Sequence, residues 1–97
     1  MATYSLTADA DRDLTAIYFY TFDSFGENQA DLYTNRMISA FELLAQMPFS
    51  GRKVAHIHSD TRSFPHESHV IYYEVVDSDV VIIRILHHAQ DPLRQFK

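Results

Sequence analysis

The chain has 97 residues, no cysteine and a formal net charge of −5. This length accommodates one domain with its own core, and the lack of thiols excludes disulfides and cysteine metal sites. An acidic balance argues against a protein that coats DNA or RNA by neutralising phosphates. We expect a single domain over residues 1–97 in a reducing cytoplasm, because neither a signal peptide nor a membrane-spanning run of about 20 apolar residues is visible.

The first half of the chain predicts a short strand followed by two helices. Residues 2–7 alternate as a strand does, and Thr7 or Asp9 can cap the helix that follows. Apolar residues then recur at helical spacing until Gly26, which can end that helix. A second apolar stripe runs through residues 28–47 and stops before a proline. The short link predicts an antiparallel helical hairpin.

The second half predicts antiparallel strands, so the fold class is α+β with a three-stranded antiparallel sheet after the helices. Residues 53–59 alternate, with His56 and His58 on the same side. Residues 69–76 and 80–88 are rich in Val, Ile and Tyr, and Asp77-Ser78-Asp79 between them favours a hairpin.

The register of this hairpin follows from its apolar faces. The apolar residues at 71, 73 and 75 share a face with those at 81, 83 and 85 only if the loop has an odd number of residues. A three-residue loop predicts that Tyr73 pairs with Ile83 and that His69 pairs with His87. The opposite face is too apolar to face water, so we expect the chain's own ends or a partner to cover it. This second face contains Val70, Tyr72, Glu74, Val76, Val80, Ile82, Arg84 and Leu86.

Metal binding and RNA cleavage are two kinds of chemistry that histidine and arginine side chains of the second half could serve. The six histidines all lie at or after position 56, but their spacing matches no zinc pattern, and we expect no metal and no cofactor. Cleavage of RNA through its own 2′-hydroxyl needs a base, an acid and a cation that binds the phosphate. His69 and His87 could act as base and acid, while Arg62 and Arg84 could hold the phosphate.

Protein recognition is the third possibility. Arginine and aromatic side chains are concentrated in interface hot spots, and Arg84, Tyr72 and Phe96 are such residues. The segment 84–97 contains three basic residues and one acid, a net charge of +2 on an otherwise acidic chain. A basic tail that ends in an unsatisfied phenylalanine favours a surface that contacts another macromolecule.

Short segments along nearly the whole chain resemble the ParE-type toxins of bacterial toxin–antitoxin systems, within the RelE/ParE superfamily. The helical hairpin is similar in Asp13-Leu14, Ile17-Tyr18, Phe25-Gly26, Gln29-Ala30 and Tyr33, and the following turn in Leu44-Ala45, Pro48 and Gly51-Arg52. The strands are similar in Arg62-Ser63-Phe64, in His69 to Tyr73 and in Ile83 to Pro92. The order and spacing of these segments carry the resemblance.

The resemblance implies a non-enzymatic toxin that binds the A subunit of DNA gyrase and traps the enzyme on cleaved DNA. It also implies a ParD-like antitoxin that forms a hetero-oligomer with the toxin in the bacterial cytoplasm, so that DNA is contacted only through the antitoxin or gyrase. The expected target-binding residues are Arg84, His87, His88, Arg94 and Phe96. The expected antitoxin-binding residues are Tyr18, Phe22, Tyr72, Ile82 and Leu86.

The RelE branch of the superfamily, which cuts messenger RNA on the ribosome, is the alternative. Arg62 and Arg84 fall where that branch places phosphate-binding arginines, and His87 or His88 could replace its C-terminal tyrosine. The chain departs from the RelE pattern because its only lysines are Lys53 and Lys97, where that branch carries a run of catalytic lysines. The net charge of −5 also argues against docking on dense ribosomal phosphate.

Overall fold

A computed structural model describes residues 3–96 as a helical hairpin packed on a five-stranded sheet. The elements are β1 (Tyr4–Leu6), α1 (Ala8–Phe25), α2 (Glu27–Gln46), β2 (Arg52–Lys53), β3 (Arg62–His66), β4 (His69–Val76), β5 (Asp79–His87) and α3 (Pro92–Gln95). The predicted α+β class is confirmed. Within this part of the chain, no helix is long and apolar enough to cross a membrane.

The sheet has the strand order β1-β5-β4-β3-β2. All neighbours are antiparallel except β1, which pairs in parallel with β5. A parallel pair needs a crossover between its strands, and the helical hairpin lies within that connection. The hairpin covers one face of the sheet, where Met37 and Phe41 of α2 share a buried cluster with Tyr73 and Ile82.

The two helices begin and end close to the predicted positions. Of the two predicted caps, Thr7 is the one used, since its hydroxyl accepts from the Ala10 N–H at 3.1 Å. That hydroxyl also donates to the Ile83 carbonyl at 2.8 Å, which ties the helix start to β5. Gly26 alone separates α1 from α2, at φ 92° and ψ 173°. Residues with a Cβ rarely adopt this conformation, so the sharp reversal requires glycine.

The hairpin register is confirmed at one end and wrong at the other. His69 pairs with His87, as predicted, but Tyr73 pairs with Ile82 and not with Ile83. The loop has two residues, Asp77 at φ 59° and Ser78, and a bulge at Ile83 restores the register farther along. Val80 and Ile82 therefore face the helices, contrary to the prediction that they lie on the opposite face.

The strand predicted over residues 53–59 is wrong for most of its length. Only Arg52–Lys53 forms a strand, and the chain then turns, with the Val54 carbonyl accepting from the Ile57 N–H at 2.8 Å. His56 and His58 are exposed in this turn and do not share a strand face. Val54 and Ile57, which a strand would place on opposite faces, pack together from this turn against the sheet face away from the helices.

The sheet face away from the helices is covered by the chain itself. Val54, Tyr72 and Leu86 form a second buried cluster, against which Ile57 and Phe96 pack. The Phe96 ring meets the Tyr72 ring edge-on, with 5.2 Å between their centroids. The prediction that the chain's own ends could cover this face is confirmed, whereas the prediction of an unsatisfied Phe96 is wrong.

Candidate functional site

A groove of about 690 Å³ runs between α1, the tip of the helical hairpin and the far ends of β4 and β5. One wall is apolar and aromatic, and the opposite end carries hydroxyl, imidazole and carboxylate groups. The lining residues on the helices are Ala16, Ile17, Tyr20, Thr21, Phe25, Gln29 and Tyr33, and those on the sheet are Glu67, Ser68, His69 and His87. The cross-strand pair of His69 and His87 is the part that the sequence predicts.

The polar end of the groove is organised around His69. Its Nδ1 lies 2.6 Å from the Tyr33 hydroxyl, and its ring meets the His87 ring edge-on at 5.5 Å between centroids. Burial, followed by the neighbouring imidazoles, lowers the pKa of His69 to about 4. His69 is therefore neutral near pH 7, where it can donate or accept a hydrogen bond but holds no positive charge.

His87 and His88 follow at the exposed end of β5. Their rings stack at 4.3 Å between centroids, and the Nδ1 of His87 accepts from the Ala89 N–H at 3.1 Å. The His87 N–H in turn donates to the Gln90 side chain at 2.8 Å. Both histidines remain accessible to a partner, and so does Arg94, whose side chain is 82% exposed.

Arg84 is occupied by an intramolecular ion pair. Its guanidinium binds both carboxylate oxygens of Asp13 on α1, at 2.7 and 3.1 Å, and both side chains are more than 80% buried. A third contact reaches the Gln95 carbonyl at 3.3 Å. The expectation that Arg84 is free to bind a target or a phosphate is therefore corrected. Glu74, its predicted neighbour across the strands, pairs with His58 at 3.3 Å.

Arg62 is also held internally. Its Nη1 donates to the Gly51 carbonyl at 2.8 Å, and its guanidinium lies 5.0 Å from the centre of the Phe49 ring. Arg62 pairs with Tyr73, four residues along β4 from His69. At about 3.4 Å per residue this places Arg62 roughly 14 Å from His69 along the strand direction. The structure brings His69, His87 and His88 together but does not bring Arg62 to them.

Three of the five expected antitoxin contacts are buried. Tyr72, Ile82 and Leu86 are only 6%, 0% and 1% exposed, so no partner reaches them unless the C-terminal segment or the helices move. These three expectations are corrected, because two apolar clusters cover both sheet faces. Phe22 stays exposed, and the half-buried Tyr18 donates to Asp31 at 3.0 Å.

Sequence reasoning missed the exposed aromatic residues beside those two positions. Phe19, Tyr20 and Phe25 are 60%, 69% and 70% exposed on α1. The density of aromatic residues between positions 18 and 25 was the available signal. Five aromatic side chains in eight consecutive positions lie all around a helix, so they cannot all face one core.

The histidines do not form a metal centre. Over residues 3–96, no group of three or more His, Asp or Glu side chains is arranged to hold a metal ion. The side chains that line the groove offer apolar contact and hydrogen bonding by imidazole, phenol and carboxylate groups.

Known proteins match this chain over nearly its whole length. A family model described as the ParE toxin of a type II toxin–antitoxin system, parDE, matches residues 4–92. Toxin ParE1 of Caulobacter vibrioides is 31% identical over 91 residues, which are 94% of each chain. Toxin ParE1 of Mycobacterium tuberculosis is 29% identical over 89 residues, 91% of each chain.

Solved structures share the fold at lower identity. The chromosomal ParDE toxin–antitoxin system of P. aeruginosa matches with a TM-score of 0.76 and 21% identity, over 90% of this chain and 95% of that chain. The RelBE2 toxin–antitoxin complex of Mycobacterium tuberculosis matches with a TM-score of 0.62 and 22% identity, over 90% and 98% of the chains. The extent of the family match shows that the chain belongs to the ParE toxin family of type II toxin–antitoxin systems.

Proposed function

We propose that the chain poisons DNA gyrase by binding its A subunit, without catalysis, and that a ParD-like antitoxin neutralises it. The family match supports the toxin role, and the commitment of Arg84 to Asp13 is the observation that argues most for a binding mechanism. A ribonuclease of the alternative kind needs cations that are free to bind phosphate.

The other residues expected to serve a ribonuclease also argue against catalysis. Arg62 is bound to a backbone carbonyl far from the histidines, and the lowered pKa of His69, about 4, makes its imidazole a weak general base near pH 7. His87 and His88 remain accessible, but neither Arg62 nor Arg84 is free to bind a phosphate beside them. An enzyme that cleaves RNA on the ribosome would have to break the ion pair of Arg84 first, at a cost of several kcal/mol.

The antitoxin is expected on the helical hairpin and the groove. The P. aeruginosa ParDE and M. tuberculosis RelBE2 structures are described as a toxin–antitoxin system and a toxin–antitoxin complex. The exposed aromatic side chains of α1 and the groove beside them offer a contiguous surface of the kind that partners bury. Phe22 stays among the proposed contacts, and Phe19, Tyr20 and Phe25 join it.

The target-facing surface is proposed at the C-terminal end of β5 and in the segment that follows. His87, His88 and Arg94 are accessible there. Arg84 and Phe96 act instead as internal supports of this surface, one holding α1 and the other covering Tyr72.

Pulse labelling after induced expression in bacteria tests the proposal. Incorporation of labelled thymidine should fall before that of labelled methionine, since poisoned gyrase blocks replication while ribosomes still work. Co-expression of the cognate antitoxin should restore both. An immediate fall in methionine incorporation with intact thymidine incorporation would favour the ribonuclease instead. A variant lacking the toxin's start codon controls for the burden of induction.

A further inference from the structure

We infer that the polar end of the groove is a carboxylate-binding site, in which His69 and His87 donate hydrogen bonds to an acidic group of the partner segment that fills the groove. The inference rests on the proposed function in taking that partner to be the antitoxin. It specifies the chemistry that the partner presents to the groove, which is an apolar side chain next to a carboxylate.

Tyr33 fixes His69 as a donor. Burial raises the pKa of Tyr33, against an opposing hydrogen bond from the Ser68 backbone, so the phenol keeps its proton. A phenol is a better hydrogen-bond donor than a neutral imidazole N–H, and an imidazole nitrogen is the better acceptor, so we assign the phenol proton to the bond with the Nδ1 of His69, 2.6 Å away. A neutral imidazole that accepts at Nδ1 carries its own proton at Nε2.

That Nε2–H is available to a ligand. Over residues 3–96, the buried side-chain polar atoms that lack a partner are Thr34 Oγ1 and His66 Nε2. The Nε2 of His69 is not one of them and has no hydrogen-bond partner in this part of the chain, so it is open to solvent. A half-buried ring whose other nitrogen is fixed thus presents one oriented donor at the groove.

His87 is a second donor, fixed by the same principle. Its Nδ1 accepts from the Ala89 N–H at 3.1 Å, so its neutral form also carries the proton at Nε2. Stacking on His88 at 4.3 Å restrains the ring plane. Both His69 and His87 line the groove, on adjacent strands at directly paired positions.

Two such donors suit a carboxylate. The ring centroids lie 5.5 Å apart, so one carboxylate can lie beside both rings and offer each an oxygen at a hydrogen-bond distance of roughly 2.9 Å. Hydrogen bonds to an ionised acceptor are about twice as strong as those between neutral groups. A single neutral carbonyl oxygen could accept from both donors but would form the weaker, neutral hydrogen bonds.

The charges around the pair do not repel an anion as strongly as the overall charge of −5 suggests. The groups that face His69 are Asp13 on α1, Tyr33 on α2, His66 on β3, and His87 and His88 at the end of β5. Asp13 is neutralised by Arg84 at 2.7 Å. Glu67, which also lines the groove, lies 3.7 Å from Arg36 and 3.3 Å from His66.

The apolar wall supplies the second half of the site. Ile17, Tyr20 and Phe25 line the groove beside the imidazoles, and the two aromatic rings are 69% and 70% exposed. An aromatic or large aliphatic side chain from a partner would bury them together with itself. The occupant is therefore a segment in which such a side chain adjoins an Asp, a Glu or a free C-terminus.

A synthetic pair of ligands tests the site without gyrase or antitoxin. N-acetyl-phenylalanine carries the ring and the carboxylate, while N-acetyl-phenylalaninamide carries the ring alone. In NMR titrations of the full chain, the acid should bind about tenfold more tightly than the amide, since charge-assisted hydrogen bonds exceed neutral ones by that order. Equal binding of the two ligands, or no binding of either, would overturn the inference.

The tautomers of the two imidazole rings supply a second readout. Long-range ¹H–¹⁵N spectra should show the Nε2–H form for both His69 and His87 at pH 8. The Nδ1–H form in either ring would contradict the premise.

Variants separate the donor from the ring. H87F should abolish the preference for the acid, whereas H87Q, which can present an amide N–H near the Nε2 position, should keep part of it. Y33F retains the His69 ring but frees its tautomer, and should reduce the preference. H56Q changes an exposed histidine away from the groove and should leave the preference for the acid intact. If H87F retained the full preference, the site would not be the one inferred.

Discussion

At the scale of single residues, Asp13 connects the helical hairpin to the sheet. Its two oxygens accept from Arg84, and Oδ2 also accepts from the Ile85 backbone N–H at 2.9 Å. The carboxylate thus satisfies a guanidinium and a backbone donor at the bulged part of β5. The sequence does not predict this pair, because the two residues are 71 positions apart and meet only after α1 packs on the sheet.

Replacement of Asp13 should show how much this connection contributes. D13N leaves Arg84 charged and largely buried without a counter-ion, so we expect a loss of about 2–3 kcal/mol in the free energy of unfolding. Urea denaturation measures it. D9N on the same helix is the matched control, because the pair of Asp9 with Arg12 is exposed and its loss should cost less than about 0.5 kcal/mol. Equal effects of the two substitutions would contradict the assigned role.

His69 should make stability depend on pH. Its pKa is about 4 in the folded chain and 6.5 for a free imidazole, so between these values the unfolded state binds more protons. The contribution is fully present above about 6.5 and is lost as the pH falls towards 4. Because the ring is half-exposed, we expect on the order of 1–2 kcal/mol.

Urea midpoints at several pH values, compared between the parent chain and H69Q, isolate this contribution. The variant should lose less stability than the parent chain between pH 6.5 and pH 4, by the amount given above. H56Q should follow the parent chain. If H69Q and the parent chain had parallel pH profiles, His69 would be as solvated in the folded chain as in the unfolded one.

At the scale of elements, the C-terminal segment acts as the cover of the outer sheet face. The Asp91 side chain caps α3 by accepting from the Leu93 N–H at 3.0 Å, and α3 delivers Phe96 onto Tyr72. F96A should therefore destabilise the chain by about 1–2 kcal/mol, through lost burial and a lost aromatic pair.

The control for this prediction is F19A, because Phe19 is 60% exposed on α1 and touches no core cluster. Its free energy of unfolding should change by less than about 0.5 kcal/mol. Thermal or urea unfolding of both variants gives the comparison. An F96A variant as stable as the parent chain would show that the cover is loosely held and available to a partner.

The elements that the sequence predicts well are those with strong local patterns. Both helices follow from their apolar spacing, with Thr7 as cap and Gly26 as the break between them. The bulge at Ile83 could not be predicted, because a two-residue loop with a bulge and a three-residue loop without one give the same pairing of His69 with His87. The strand expected over residues 53–59 failed because Val54 and Ile57 pack on the sheet together from a turn, which the alternation of residue types along the segment does not reveal.

At the scale of the whole molecule, the site was predictable only in part. The pairing of His69 with His87 follows from hairpin register, but their position beside the hairpin tip depends on how the helices cross the sheet. Burial of Tyr72 and Leu86 likewise depends on the C-terminal segment, which the sequence indicates only as a basic tail, and burial of Ile82 depends on the bulge that turns it towards the helices. The molecule combines an acidic, aromatic hairpin with an end of β5 at which His87, His88 and Arg94 are exposed, and these are the two surfaces proposed for the antitoxin and the target.

The central claim is that the chain acts on gyrase by binding. The most direct measurement incubates purified gyrase, supercoiled plasmid and ATP with the chain, and quantifies linear DNA after protein digestion. We predict linear DNA that increases with the amount of chain until gyrase is saturated, and that disappears when the antitoxin is added first. Plasmid that stays supercoiled and yields no linear DNA, at a molar excess of folded chain over gyrase, would contradict the claim.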